Sequence, residues 1–397
     1  MNRNEFLGKL GVAGLGGLLL PNLFTACSEE TVPNIDVNFN GRVLIIGAGT
    51  AGLMAGYVLK RYNIDFEILE ASSVHGGRVK ETSTFTVFPI DLGAEWIHTD
   101  PDVLARLLDD SSINASIDII NYSPPEISIW KNDKLRNRNY FSNFYGEHKF
   151  KNSTWYSYLN DFIVPYIEAD IIYNEVVSSI DYSTDNIAVE TTGGNNYTAD
   201  RVIITVPLSV LKDGDINITP SLPTSKINAL NDVYMPDGIK VFMEFTEDFY
   251  PDVVLEGGLF QMNEFDGDKV YYNAAFGKDT NKHIFALFCV GEQATVYVNQ
   301  PNKQALIDYI LNELDEYFDG KASRSFVKHI SQNWTAEPFI RGSYTHGNFD
   351  VLDELKTPID EKIFFAGETM APNDTSTVHG AANSAWVAVE RLLADRG

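Results

Sequence analysis

The chain has 397 residues, 44% of them hydrophobic and 12% aromatic, enough for two medium domains or one large composite one and too apolar for a disordered chain. Its formal net charge of −25 argues against a nucleic-acid partner, because phosphate binding needs basic patches. An acidic field instead draws cations, amines among them, and equally keeps an exported protein soluble.

Only Cys27 and Cys289 are present, which excludes a C-x-x-C pair or a disulfide framework. The seven histidines show no H-x-H or H-E-x-x-H spacing, so no metal site is expected. Residues 1–27 read as a targeting segment: Arg3 and Lys9 make a basic start, and an apolar run follows from Leu10 to Leu20. That run is broken by Pro21 and Asn22 and is short for a bilayer core of about 30 Å. Its end, Leu23-Phe24-Thr25-Ala26-Cys27, resembles a bacterial lipobox, which implies a lipid anchor on Cys27. Asn2-Arg3-Asn4-Glu5-Phe6-Leu7 resembles a twin-arginine leader with one arginine missing; a cleaved soluble signal peptide is the alternative. Residues 28–40 are polar and read as a tether. The expectation is an exported protein, periplasmic or membrane-anchored, that touches the membrane only through that anchor. Nothing in the sequence specifies an oligomeric state.

Val43-Leu44-Ile45-Ile46 is a continuous apolar run, the mark of a parallel strand buried on both faces. Gly47-Ala48-Gly49-Thr50-Ala51-Gly52 follows at once, and Leu53 to Lys60 continues as a helix. Gly47 permits the tight turn, Gly49 lets the backbone approach a pyrophosphate, and Gly52 allows close helix–strand packing. The pyrophosphate then sits on the positive end of the helix, with Ala51 in the first turn. A second strand, Phe66 to Leu69, ends in Glu70, placed to bond a ribose hydroxyl. This strand–turn–helix–strand order predicts a dinucleotide fold without separating NAD from FAD.

The next segment, Glu70-Ala71 followed by Gly76-Gly77-Arg78, resembles the E-A-x(n)-G-G-R signature of FAD enzymes with a glutathione-reductase-like fold. The glycine pair lets the chain pass tightly beside the cofactor, and Arg78 can neutralise pyrophosphate charge. From there the sequence resembles the flavin-containing amine oxidases: monoamine and polyamine oxidases, L-amino-acid oxidases and flavin lysine demethylases. Asp91-Leu92-Gly93-Ala94-Glu95-Trp96-Ile97-His98 matches the segment that runs beside the flavin ring in that family, although Thr99 stands where glycine usually follows. Tyr173 to Ile180 resembles the strand whose backbone bonds adenine, with Val177 at the contact, and Ala199 to Pro207 the strand that returns to the cofactor domain. Trp334 and Gly342-Ser343-Tyr344, the Ala366-Gly367-Glu368 triplet, and Thr377-Val378-His379-Gly380-Ala381 complete the series in the right order. The last opens a helix whose N-terminus, by the resemblance, faces the flavin pyrimidine.

The resemblance implies an α/β chain: a glutathione-reductase-like FAD-binding Rossmann fold with a discontinuous α+β substrate-binding domain. Residues 41–100, 171–220 and 331–397 are expected in the FAD-binding part, and 101–170 and 221–330 in the substrate-binding part. Ser343 stands where monoamine oxidases carry the cysteine bonded to flavin, so FAD is expected to be non-covalent.

Lys240 lies in Gly238-Ile239-Lys240-Val241-Phe242-Met243-Glu244-Phe245, where Ile239, Val241, Met243 and Phe245 share one face. Pattern alone puts Lys240 on a solvated face; the resemblance instead makes it the lysine that holds a water against flavin N5. Tyr344 takes one of the two positions where the family carries aromatics over the flavin, and Thr377 takes the other. His98 is a polar candidate in the pocket or a satisfied structural histidine. The implied activity is hydride transfer from an amine α-carbon to flavin N5, giving an imine, with O2 reoxidising the cofactor to H2O2. An L-amino-acid oxidase or a desaturase-like dehydrogenase on the same scaffold is the second reading, and a non-catalytic FAD lipoprotein the third.

Overall fold

The computed structural model describes residues 37–113, 116–139, 147–256, 268–371 and 373–394. The expected leader, the Cys27 anchor and most of the tether lie outside the described residues. Among the described residues, no helix is long and apolar enough to cross a membrane.

A five-stranded parallel sheet forms the first layer, in the order Ile171–Tyr173, Asp65–Glu70, Arg42–Ile46, Arg201–Ile204, Ile363–Phe365. Val43 and Ile45 face one core and Leu44 and Ile46 the other, which is why this strand reads as unbroken hydrophobic sequence. Helices Thr50–Arg61 and Val378–Ala394 cover the first face with Leu53, Met54, Val58, Ala385 and Val389. The second face packs on an antiparallel layer that includes Val177–Asp181, Ile187–Thr191 and Asn196–Ala199.

A seven-stranded sheet forms the other half, in the order Phe326–Asn333, Gly238–Phe245, His283–Val290, Asp268–Asn273, Val253–Glu256, Ile127–Trp130, Leu135–Asn137. Helix Lys303–Tyr317 fills one face, where Leu306, Ile310 and Leu314 meet Ile239, Val241 and Met243. The opposite face is not left to water. Phe85, Phe88, Ile90 and Leu92, from the chain leaving the dinucleotide fold, lie against Phe242, Val270, Tyr272 and Ala286. Both faces of strand Gly238–Phe245 are therefore buried, and the solvated face that alternation alone suggests for Lys240 does not exist.

Segments from the 101–170 range also help to build the first core. Helices Val103–Leu108, Trp155–Phe162 and Val164–Ile167 lie there, and Leu104, Trp155, Leu159 and Ile163 join the same cluster as Val43 and Met54. Leu230 and Val233 likewise pack with Leu44 and Ile46. The reason is coverage: a parallel sheet needs both faces roofed, and these segments supply part of the roof.

Candidate active site

The glycine turn has the geometry a dinucleotide needs. Gly47 has φ +105°, a conformation that favours glycine. A Cβ on Gly52 would lie 1.9 Å from the Gly47 carbonyl oxygen, so only glycine lets helix and strand approach this closely. Gly49 differs: a Cβ there would meet nothing within 4 Å. It is the N-cap of helix Thr50–Arg61 and offers no side chain to the first-turn N–H groups, Ala51 among their residues. An open glycine at an uncapped helix start fits a pyrophosphate. Gly76 donates its N–H to the Ala48 carbonyl at 2.8 Å, so the second glycine segment, with Gly77 at φ +59°, runs alongside the first.

Glu70 ends its strand as expected, with Oε2 accepting from Ala48 N–H at 2.6 Å and Oε1 from Ser72 N–H at 2.8 Å. Burial pushes its carboxyl up, and these two bonds oppose the shift. Arg78 reaches across the chain: Nη1 donates to Glu368 Oε1 at 2.9 Å and to the Ser343 carbonyl at 3.0 Å. Glu368 also accepts from Thr345 Oγ1 at 2.8 Å and Ser376 N–H at 3.2 Å. Gly367, at φ +153°, again faces open space at its Cβ position. Val177 sits at a bulge in the antiparallel layer, an irregularity that exposes strand backbone to other partners. Trp334 is buried and donates its indole N–H to the Leu92 carbonyl at 3.1 Å.

Thr377 opens the last helix. Its hydroxyl accepts from Gly380 N–H at 3.0 Å and donates to the Asp374 carbonyl at 2.7 Å, capping the helix that carries Val378 and Ala381. Tyr344 stacks on His346, with ring centroids 5.1 Å apart, and its hydroxyl lies 3.5 Å from Asp268 Oδ2. His98 turns to Glu147, with Nδ1 2.7 Å from Oε2, a close polar contact without good hydrogen-bond alignment.

The densest chemistry surrounds Lys240, which is 2% exposed. Its Nζ donates to the Asp91 carbonyl at 2.8 Å, the Gly93 carbonyl at 3.0 Å and Glu95 Oε2 at 2.6 Å. Those three acceptors match the three donors of an ammonium. The Glu95 carboxylate is committed inward. Oε1 lies 2.5 Å from Lys149 Nζ, and Oε2 also accepts from the Tyr272 hydroxyl at 2.5 Å. A Cβ on Gly93 would lie 1.8 Å from the Arg78 carbonyl oxygen, so this residue ties the two cofactor segments together.

Burial raises the Glu95 carboxyl, but Lys149 and Lys240 outweigh it and hold the group down at about 2. Burial lowers Lys240, and Glu95 and Asp91 oppose that shift. Burial and the charge of Glu95 push Asp91 well above the usual carboxylate range. Sequence reading missed Lys149, Tyr122 and Tyr272. Lys149 and Tyr122 fall in a stretch with no recognisable motif, and Tyr272 reads as an ordinary aromatic strand residue. A surface concavity of about 430 Å³ is lined by Ile239, Tyr297, Lys303 and Glu337 and opens on the face of the strand opposite Lys240.

A parallel sheet with an open glycine turn, a second glycine segment and a lysine-bearing sheet docked beside them defines a two-part, dinucleotide-binding oxidoreductase of the flavoprotein class. The sequence profile for a flavin containing amine oxidoreductase matches residues 156–393, more than half of the chain, and that for an NAD(P)-binding Rossmann-like domain matches residues 45–111. The chain belongs to the flavin-containing amine oxidoreductase family. It is 24% identical over 473 residues to polyamine oxidase 4 of Oryza sativa subsp. japonica, covering 96% of this chain and 93% of the relative. It is 23% identical over 442 residues to the Homo sapiens lysine-specific histone demethylase 2, covering 86% of this chain and 52% of that protein. The chain thus spans about half the length of the demethylase. Among solved structures, wild-type putrescine oxidase bound to putrescine superposes with a TM-score of 0.70 at 15% identity, covering 90% of this chain and 100% of the other. A putrescine oxidase double mutant gives 0.71 with 90% and 99% coverage.

Proposed function

We propose that the protein is an FAD-dependent amine oxidase acting on a small-molecule amine, with the cofactor held non-covalently. One observation carries the reading: Lys240, from the seven-stranded sheet, is buried and bonded to the backbone of Asp91 and Gly93. A lysine costs free energy to desolvate, and here it is spent on positioning the segment that borders the cofactor in the family. Bound flavin supplies the two-electron acceptor that takes hydride from the amine α-carbon and passes the electrons to O2 as H2O2.

The chain's own contribution is orientation and exclusion of water. Arg78, Glu368 and Thr345 tie the second glycine segment to the C-terminal one. Trp96, Tyr272 and Phe288 form a wall of rings, with Trp96 5.0 Å from Tyr272 and 6.0 Å from Phe288. Tyr344 stands as the aromatic flank, and His98 as a polar residue next to that wall in sequence. The relatives named for polyamines and putrescine support an amine over an amino acid or a carotenoid-like substrate. Export with a lipid on Cys27 is a further part of the proposal. It rests on the basic start at Arg3 and Lys9, the apolar run and the Leu23–Cys27 motif. Loss of radiolabelled palmitate incorporation in C27A would support that anchor, and undiminished labelling would remove it.

The enzymatic reading is tested by purifying residues 28–397, recording the flavin spectrum and running a peroxide-coupled assay across monoamines, polyamines and amino acids. A colourless protein sinks the cofactor assignment. Bound flavin that no amine bleaches sinks the oxidase.

A further inference from the structure

Lys149 is one of the most deeply buried charged groups in the described chain, with its side chain 1% exposed. It sits on strand Glu147–Phe150, paired with Trp96 on one side and Ile120 on the other. Its Nζ lies 4.9 Å from the Tyr122 ring centroid, 5.1 Å from that of Tyr272 and 5.5 Å from that of Trp96. Glu95 supplies a carboxylate oxygen at 2.5 Å. Three aromatic rings and one carboxylate around an ammonium are the usual elements of an alkylammonium-binding site. Here the occupant belongs to the chain itself.

That cage is continuous with the centre around Lys240. Lys240 Nζ is 5.4 Å from the same Trp96 ring and 5.8 Å from the same Tyr272 ring, and the two lysines share the Glu95 carboxylate. Two ammoniums on one carboxylate leave a buried excess of positive charge. Burial pushes the neighbouring Asp91 carboxyl well above the usual carboxylate range, which weakens the charge it sets against the lysines. Lys278 adds to the excess nearby, with its Nζ on the Phe150 carbonyl at 2.8 Å. An apolar residue at 149 would avoid the cost of desolvating a second cation.

We infer that Lys149 is a specificity-determining residue: its ammonium fills the Trp96–Tyr122–Tyr272 cage, so that the pocket takes amines with an uncharged tail and turns away those with a second ammonium close to the reacting nitrogen. This rests on the amine-oxidase reading and narrows its substrate class. A short diamine brings its distal cation toward two fixed ammoniums in a water-poor site, where like charges repel far more strongly than in water. A monoamine of the same chain length presents only methylenes to the rings.

The test compares kcat/KM for n-butylamine and 1,4-diaminobutane in the holoenzyme, its K149M variant and its K149R variant. The wild type is expected to favour n-butylamine by at least about tenfold. K149M empties the cage of charge and shifts the ratio toward the diamine by about tenfold or more, whereas K149R keeps the wild-type ratio. A wild type that oxidises the diamine as well as the monoamine overturns the inference without any variant, so a poorly folded K149M does not protect it. A K149M that slows both amines in parallel, leaving the ratio unchanged, overturns it too. If neither amine, nor any other, is oxidised by flavin-loaded protein, the functional reading falls and takes this inference with it.

Discussion

Replacing Glu95 with glutamine removes the single carboxylate that Lys149 and Lys240 share, while keeping the size and most of the shape of the side chain. The folded-state carboxyl is held down at about 2 against an ordinary value of 4.5. A depression of that size corresponds to roughly 3 kcal/mol of stability, at about 1.4 kcal/mol per pH unit. It agrees with the 3–5 kcal/mol typical of leaving a buried charge without its partner, to order of magnitude. Lys240 shifts downward through burial, so its side of the pair costs stability at pH 7 and offsets part of that gain. The stabilisation is assigned to Glu95 because it sees two ammoniums, while each lysine sees a shared carboxylate. Because the folded value is depressed, the contribution is fully present above pH 4.5 and is lost as pH falls toward 2. Urea unfolding of the wild type and E95Q at pH 7 is expected to differ by about 3 kcal/mol at a common slope, and by less at pH 3.5. A difference under about 1 kcal/mol at pH 7, or one unchanged at pH 3.5, would refute the argument.

The glycine turn separates folding from cofactor binding. Gly49→Ala meets open space and should unfold at the wild-type urea midpoint while losing the flavin absorbance; Gly52→Ala clashes with the Gly47 carbonyl at 1.9 Å and should be recovered poorly or unfolded. Retained flavin in Gly49→Ala would show that the pyrophosphate sits elsewhere. Lys240→Met should keep flavin bound and slow turnover or reoxidation more than about tenfold, read by stopped-flow bleaching and reoxidation, since it removes three positioning bonds. The pH dependence of kcat/KM should rise between about pH 6 and 9 as the substrate amine loses its proton. A flat profile over that range counts against the neutral-amine mechanism.

The dinucleotide half was legible because its chemistry is local. Gly47 and Gly52 meet each other within one turn, and Glu70 and Gly77 meet Ala48 and Gly49 inside the same strand–helix–strand unit, so spacing along the chain reports their geometry. Lys240 was legible only by resemblance, since its acceptors lie some 150 residues earlier in the chain and alternation points the other way. Thr377 aligned with an aromatic position but acts as a helix cap, which depends on where the Asp374 carbonyl ends up. Lys149 left no trace in the pattern. A lysine between histidine and phenylalanine in a short strand looks like surface until Trp96 pairs with it and Tyr122 and Tyr272 close around it.

The three bonds from Lys240 have a consequence for how the chain assembles. The lysine belongs to the seven-stranded sheet and all its acceptors belong to the segment that leaves the glycine turn. The face that Lys240 shares with Phe242 is covered by Leu92 and its neighbours. The join keeps this cation in a dry site, with Glu95 as its counter-charge. The join works as a rivet and not as a hinge, and limited proteolysis of the native protein should cut neither half free of the other.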